Sequence, residues 1–142
     1  MAIRLYKPDA NTKVEWYPKL ASTTFTFNDL CYIDGDGYLI KAVDAVALTP
    51  LGLIQKTIAA TDSDYADATR VPVLVPGPDA VFLCDVSTGS AATTDVGEWI
   101  DIDDHNSVDV AASTYDIFFV TGIISTTQVL AKMAKKSGAV VG

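Results

Sequence analysis

The sequence has 142 residues, of which 49% are hydrophobic and 20% charged, and its formal net charge at pH 7 is −8. This length predicts one domain that buries about two thirds of the surface its unfolded chain would expose. No run approaches the roughly 18 apolar residues of a membrane-spanning helix, and the first residues lack the apolar core of a signal peptide. We therefore expect a soluble protein of intracellular origin with no membrane partner.

The charges are distributed unevenly along the chain. Residues 21–131 contain 16 of the 18 acidic residues but only three basic ones, whereas residues 1–20 contain four basic and two acidic residues. Because an acidic body repels phosphate, we expect no nucleic-acid partner. The basic ends either dock on an acidic protein surface or only carry solubilising charge. All but two of the acids are Asp, which favours turns over helices, so the composition predicts a mainly β protein.

The first 20 residues differ from the rest and are predicted to form an extended N-terminal arm ahead of a single β domain, residues 21–142. Pro8 and Pro18 interrupt two short stretches in which apolar and charged residues alternate. That period suits extended segments that add to the edge of a sheet. The segment is either an ordinary first strand or an arm whose aromatic residues contact a neighbouring subunit. On the second interpretation, the partner-binding residues are Ile3, Arg4, Leu5, Tyr6, Val14, Trp16 and Tyr17.

The next segment predicts a β-hairpin. The Asp-Gly-Asp-Gly sequence at Asp34–Gly37 separates the apolar runs Leu30–Ile33 and Tyr38–Val43, and Asp-Gly between such runs is a strong hairpin signal. A further short strand is predicted at Thr24–Phe27. The Asp34–Gly37 segment superficially matches the start of a calcium loop, but Tyr38 occupies a ligand position and no Glu closes a loop of about twelve residues. We therefore interpret this segment as a turn.

Three apolar, β-branched runs in the middle of the chain predict three more strands, Leu53–Ile58, Val71–Val75 and Val81–Val86. The last two are separated by Pro76–Asp79, whose prolines cannot continue a helix or a ladder of hydrogen bonds. We expect these two strands to be neighbours joined by a tight connection. Residues 43–50 and 59–69 are each predicted to form a loop or a single helical turn.

The last third of the chain predicts strands at Trp99–Asp103 and Val108–Val110 and a closing pair, Ile117–Ser125 with Gln128–Ala134. Lys132 interrupts the final run, which is typical of an edge strand protected against aggregation. The terminal SGAVVG sequence is expected to be loose. Together the short strands predict a small antiparallel β-barrel or β-sandwich with little helix.

Four polar residues are the best candidates for chemistry: Asp101, Asp103, Asp104 and His105. Carboxylates and an imidazole close together bind divalent cations, but we prefer to interpret these residues as a solvated strand end and turn. His105 is the only histidine, and the sequence has no G-x-S-x-G, CxxC or HExxH motif. We therefore predict no catalytic residue, no metal, no cofactor and no enzymatic activity.

The two cysteines, Cys31 and Cys84, lie in apolar runs that are far apart in the sequence. Small thiols are common in protein cores, and two distant cysteines do not define a disulfide framework. We predict that both are free and buried.

The string LGLIQKTIAATDSDYADATRVPVLVPGPDAVFLCDV, followed by VGEWIDID and IFFVTGIISTTQVLAKMA, resembles the decoration (cement) proteins of tailed-bacteriophage capsids. The likeness covers about residues 28–134 and is a loose pattern of a Gly-bounded strand, an Asp/Ala loop, an R-V-P-V strand, a V-F strand, a V-G step and a T-x-x-V strand. It implies a small β-barrel or β-tulip-like domain that carries no catalytic residues.

The resemblance also implies a function. Such a protein is made in the host cytoplasm, binds the major capsid protein on the outer capsid surface of the virion, and stabilises the shell, usually as a homotrimer. Another structural phage component, in a tail or at the head–tail joint, is the alternative. A cation-binding module or an enzyme centred on Asp101–His105 is less favoured.

Overall fold

The computed structural model describes residues 1–43 and 50–133 and confirms a mainly β protein. Within these residues the chain forms strands and turns, with a single short 3-10 turn at Thr93–Asp95. No helix in the described part is long and apolar enough to cross a membrane. The strands are β1 (Ile3–Lys7), β2 (Lys13–Pro18), β3 (Leu30–Ile33), β4 (Leu39–Lys41), β5 (Gly52–Ile54), β6 (Arg70–Val75), β7 (Val81–Thr88), β8 (Trp99–Asp104), β9 (Ser107–Asp109), β10 (Phe118–Ser125) and β11 (Gln128–Met133).

The first sheet closes into a small barrel. Its strand order is β1-β7-β11-β10-β8-β9, and β9 also pairs in parallel with the end of β7. The strands β7, β11, β10, β8 and β9 therefore form a closed ring of five, which removes most free edges. Strand β1 pairs antiparallel with the first half of β7, from Ile3 opposite Cys84 to Lys7 opposite Val81.

The second sheet has the strand order β2-β6-β5-β3-β4. All its ladders are antiparallel, and β2 pairs with β6 along its whole length. An isolated parallel bridge joins Lys19, directly after β2, to Leu39 at the start of β4. This bridge covers the edge of β2 only at its C-terminal end.

The second sheet lies between two hydrophobic cores because alternate residues of a strand face opposite sides. Leu30, Leu53 and Leu74 are paired across β3, β5 and β6, and they pack against the barrel core. Cys31 and Val73 face the other side and belong to a smaller core of their own.

Two chain segments cross between the sheets side by side. One segment leads from β1 to β2 and the other from β6 to β7. The Asp9 carboxylate, between β1 and β2, accepts the backbone N–H of Asp79, between β6 and β7, at 2.9 Å. A side chain at Gly77 would overlap that carboxylate. The prediction that β6 and β7 are neighbours is therefore wrong: the Pro76–Asp79 connection carries the chain from one sheet to the other.

The hairpin at Asp34–Gly37 is confirmed. Strands β3 and β4 pair antiparallel around it, and one Asp34 carboxylate oxygen accepts the N–H groups of Asp36 and Tyr38, each at 2.9 Å. The closing pair of β10 and β11 is confirmed as well.

Several strand predictions need correction. Residues 24–27 form no strand, since only Phe25 makes an isolated bridge with Ile58, and the strand predicted at Leu53–Ile58 ends at Ile54. Residues 59–69 form turns without a helix. Strand β11 lies between β7 and β10, so Lys132 does not mark an edge. The predictions for 44–49, Ala134 and the terminal SGAVVG sequence lie outside the described residues.

Candidate functional site

The seven residues predicted to bind a partner are divided between the two sheets and between inward and outward faces. Ile3 is buried in the barrel core, and Leu5 and Tyr17 are half-buried against the two cores. The side chains that remain exposed are Arg4, Tyr6, Val14 and Trp16. The N-terminal segment is extended, as predicted, but in the single chain both of its strands pair with strands of the same chain. Contact with a neighbouring subunit stays a prediction.

Val14 and Trp16 on β2 form the clearest exposed apolar feature. Val14 is 52% exposed and Trp16 58% exposed, and the two side chains share one face of the second sheet. Their partners across the β2–β6 ladder are Leu74 and Pro72, which are half-buried. The same face is buried against the barrel at Leu53, so the apolar surface extends past the contact between the sheets and is uncovered at β2.

Polar groups surround this exposed strand. The Lys13 ammonium lies 2.7 Å from the Glu15 carboxylate, which also accepts the Tyr17 hydroxyl. Lys13 and Tyr17 together lower the pKa of Glu15, and Glu15 raises the pKa of Tyr17 to about 12. The Arg70 guanidinium donates to the carbonyl of Trp16 at 3.2 Å. The Arg70 contact holds the backbone of β2, and the Val14 and Trp16 side chains stay exposed.

Asp101 has a structural role that the sequence analysis missed. Asp101 is only 2% exposed, so the prediction of a solvated strand end is wrong for this residue. The carboxylate accepts the backbone N–H groups of Thr114, Tyr115 and Asp116 at 2.8–2.9 Å. Both of its oxygens are thus engaged by the loop that leads into β10, which leaves them poorly placed to bind a cation.

Among the other three candidates for chemistry, Asp104 and His105 contact each other and Asp103 has a different partner. Asp103 accepts the hydroxyl of Ser87 at 2.6 Å, and Asp104 accepts the backbone N–H of His105 at 2.7 Å. The Nδ1 atom of His105 lies 2.7 Å from a carboxylate oxygen of Asp29. In residues 1–43 and 50–133, no group of three or more His, Cys, Asp or Glu side chains is arranged to hold a metal ion.

Asp29 is a buried carboxylate that no local sequence pattern identified. It directly precedes β3, and its second oxygen accepts the backbone N–H of Thr26 at 2.7 Å. The backbone N–H of Leu30 donates to the carbonyl of His105 at 2.8 Å. Asp29 and His105 therefore join the second sheet to the turn between β8 and β9, across a sequence separation of 76 residues.

Lys19 is a second buried charge that sequence reasoning missed. Its ammonium donates to the carbonyls of Tyr65 at 2.6 Å and Leu20 at 3.4 Å, and it lies 5.8 Å from the centre of the Tyr65 ring. Burial lowers the pKa of Lys19, while the charges of Asp64 and Asp67 oppose that change. We assign Lys19 to anchoring the loop around Tyr65.

Both cysteines are free and buried, as predicted. Burial raises the pKa of Cys31 to about 12 and raises the pKa of Cys84 further. Because the thiolate is the reactive form, neither thiol is suited to act as a nucleophile or metal ligand.

A cleft of about 220 Å³ lies beside the start of β8. It is lined by Trp99, Asp95 and Glu98 and by small residues of the loop at 110–113. The Trp99 ring packs against Phe119 at a centroid distance of 5.1 Å, and Asp95 accepts the backbone N–H of Ala92. Among the residues that the structure describes, no histidine, cysteine or lysine lines the cleft beside these acids.

No protein-family model matches this sequence, and no curated protein matches it either.

Proposed function

We propose that this protein is a structural, non-catalytic binding protein of a virion, namely a capsid decoration protein that binds the major capsid protein on the outer shell. The observation that carries the proposal is the exposed apolar pair Val14 and Trp16 on β2, a strand that pairs with β6 along its whole length. A protein that reinforces a shell needs such a preformed contact surface and needs no chemistry.

The outward residues have the composition of an interface. Tryptophan, tyrosine and arginine dominate the binding energy of protein–protein contacts, and the exposed set contains Trp16, Tyr6 and Arg4. These side chains extend from strands whose backbone is already ordered, so less conformational entropy is lost when a partner binds. Apart from its N-terminal segment, the chain is strongly acidic, which favours keeping the remaining surface in solvent.

The class of partner rests on the resemblance described above, which supports a capsid shell. A catalytic or cation-binding function has less support, because the carboxylates of Asp101 and Asp29 are each engaged in holding the fold. A tail or head–tail component uses the same kind of surface and is distinguished by where the protein binds.

Co-sedimentation with phage capsids that lack their decoration tests the proposal. We expect saturable binding of the native protein at a fixed ratio to major capsid subunits. Trp16→Ser should weaken this binding by at least about 30-fold, the effect of losing about 2 kcal/mol at a central aromatic residue. Ile124→Ser is the matched control, because Ile124 is 51% exposed on a different sheet and should tolerate the change.

Two outcomes would contradict the proposal. Binding only at the portal vertex or to isolated tails would assign the protein to a tail or head–tail component. Full shell binding by Trp16→Ser, with circular dichroism showing both variants folded, would remove the β2 surface from the contact.

A further inference from the structure

The backbone of β2 has one edge that is paired and one that is open. The N–H of Lys19 donates to the carbonyl of Thr69 at 3.0 Å, which continues the ladder between β2 and β6. Because alternate residues of an antiparallel strand face the same neighbour, Lys13, Glu15 and Tyr17 face β6. The N–H and C=O groups of Val14 and Trp16 therefore point to the other edge.

The open edge is short, because backbone groups at both of its ends already form hydrogen bonds within the chain. Beyond Pro18, the N–H of Leu20 donates to the carbonyl of Leu39 on β4 at 3.0 Å. The carbonyl of Trp16 accepts from Arg70 at 3.2 Å, and the N–H of Thr12 donates to the carbonyl of Asp9 at 3.2 Å.

Four groups on this edge have no hydrogen bond from any residue in 1–43 or 50–133: the N–H and C=O of Val14, the N–H of Trp16 and the C=O of Thr12. They alternate along one line, as the donors and acceptors of a free strand do. The positions of these donors and acceptors restrict the direction and register of a strand that can pair with this edge.

We propose that two copies of this chain pair through β2, antiparallel, about a twofold axis at Val14. In this register the N–H and C=O of Val14 bond the C=O and N–H of the partner subunit's Val14. The N–H of Trp16 donates to the C=O of the partner subunit's Thr12, and the symmetric bond forms in return. All four open groups of each copy are used, and the groups already bonded to Arg70 and Asp9 are not required.

The side chains agree with the same register. Residues directly opposite each other across the new ladder are Lys13 and the partner subunit's Glu15, so the pairing forms two opposite-charge pairs. On the other face, Val14 meets the partner subunit's Val14, with the two Trp16 rings flanking them. The exposed apolar pair of each copy then joins into one row at the centre of a ten-stranded sheet.

Two registers shifted toward the C-terminal end of β2 conflict with groups of this chain. An axis at Glu15 places two glutamates opposite each other and requires the carbonyl of Trp16, which Arg70 occupies. An axis at Trp16 requires an N–H at Pro18, which proline lacks. A twofold contact closes at two copies, so the inference predicts a dimer rather than the trimer that the resemblance implies. It does not depend on the proposed shell function.

A charge exchange tests the register. The mass of the full chain, measured by light scattering, should be twice the 15.1 kDa of one copy. Lys13→Glu alone places Glu opposite Glu, and Glu15→Lys alone places Lys opposite Lys, so each variant should dissociate at least about 10-fold more readily. An equimolar mixture should restore the dimer, because each chain then supplies the charge that the other lacks.

The mixture separates pairing between chains from the Lys13–Glu15 ion pair within one chain, because both variants have lost the latter. Lys56→Glu is the matched control: it breaks the exposed ion pair with Asp64, also 2.7 Å long, and should leave the mass unchanged. A monomer or trimer of the native chain, or single variants that remain dimers, would overturn the inference. Shell binding is measured separately, so its failure and the failure of the dimer are distinguishable.

Discussion

Buried charged groups in this protein organise loops. Asp101 engages three successive N–H groups of the chain before β10, and Lys19 engages the carbonyl of Tyr65. In each case a charged atom satisfies backbone groups that no strand ladder reaches. A buried charge is costly unless it is hydrogen-bonded, so these residues are tolerated because of the loops they hold.

Asp101→Asn should lower the free energy of unfolding by about 2 kcal/mol, because the amide replaces one charged acceptor with a donor that faces N–H groups. Urea denaturation followed by circular dichroism measures the change. The control is Asp103→Asn, whose carboxylate is partly exposed and accepts one serine hydroxyl, and we expect it to cost less than half as much. Equal losses in the two variants would show that burial of Asp101 is not the cause.

At the scale of strands, the second sheet depends on a close approach between β5 and β6. Gly52 is buried, and a side chain there would overlap the carbonyl oxygen of Leu74 on the adjacent strand. Gly52 is thus required because two backbones come too close for a β-carbon, although glycine ordinarily weakens a strand.

Gly52→Ala should destabilise the protein by about 1–3 kcal/mol, as overpacking does elsewhere, and should act on the second sheet. Hydrogen exchange of the β5 and β6 amides identifies where protection is lost. Gly35→Ala is the matched control, since a β-carbon at Gly35 meets no atom of the described residues within 4 Å, and it should change stability by less than about 0.5 kcal/mol. An unaffected Gly52→Ala variant would contradict the close approach.

At the scale of the molecule, the two sheets are joined by paired crossings and by polar contacts. Asp9 links the two crossing segments, and Asp29 with His105 links the second sheet to the barrel. Several of the carboxylates have lowered pKa values. The Thr12 hydroxyl lowers the pKa of Asp9, and Lys56 lowers that of Asp64. Burial opposes the change at Asp85, but bonds from Gln128 and Ala2 outweigh it and lower its pKa.

Stability should therefore fall in acid. A carboxyl whose pKa is lower in the folded state contributes stability above its unfolded pKa of about 4, and that contribution is lost as the pH falls through the folded pKa. We expect the free energy of unfolding from urea titrations to be constant from pH 7 to 5 and to decrease progressively below about pH 4. The Asp9→Asn variant should show a shallower decrease. A native protein equally stable at pH 6 and pH 3 would contradict these pKa shifts.

Features that depend on neighbouring residues could be predicted from the sequence. The Asp-Gly turn, the β3 and β4 strands around it and the β10–β11 pair follow from local turn chemistry and alternation, because a tight turn fixes the pairing of the strands it joins. The mainly β class and the buried thiols follow from composition and apolar context. For the candidate site, alternation around Trp16 identified the strand, whereas contact between its aromatic residues and a neighbouring subunit stays a prediction.

The arrangement of the strands into two sheets could not be predicted from the sequence. Strands β6 and β7 are consecutive yet belong to different sheets, and β11 is the last strand yet lies inside the barrel. Asp29 meets His105 across 76 residues. Such contacts depend on how whole strands pack, and no local pattern encodes the partner of a group so far away. The sequence analysis predicted seven contact residues in the N-terminal segment, but only four of them are exposed. The others pack against the two cores, and local alternation does not encode that packing.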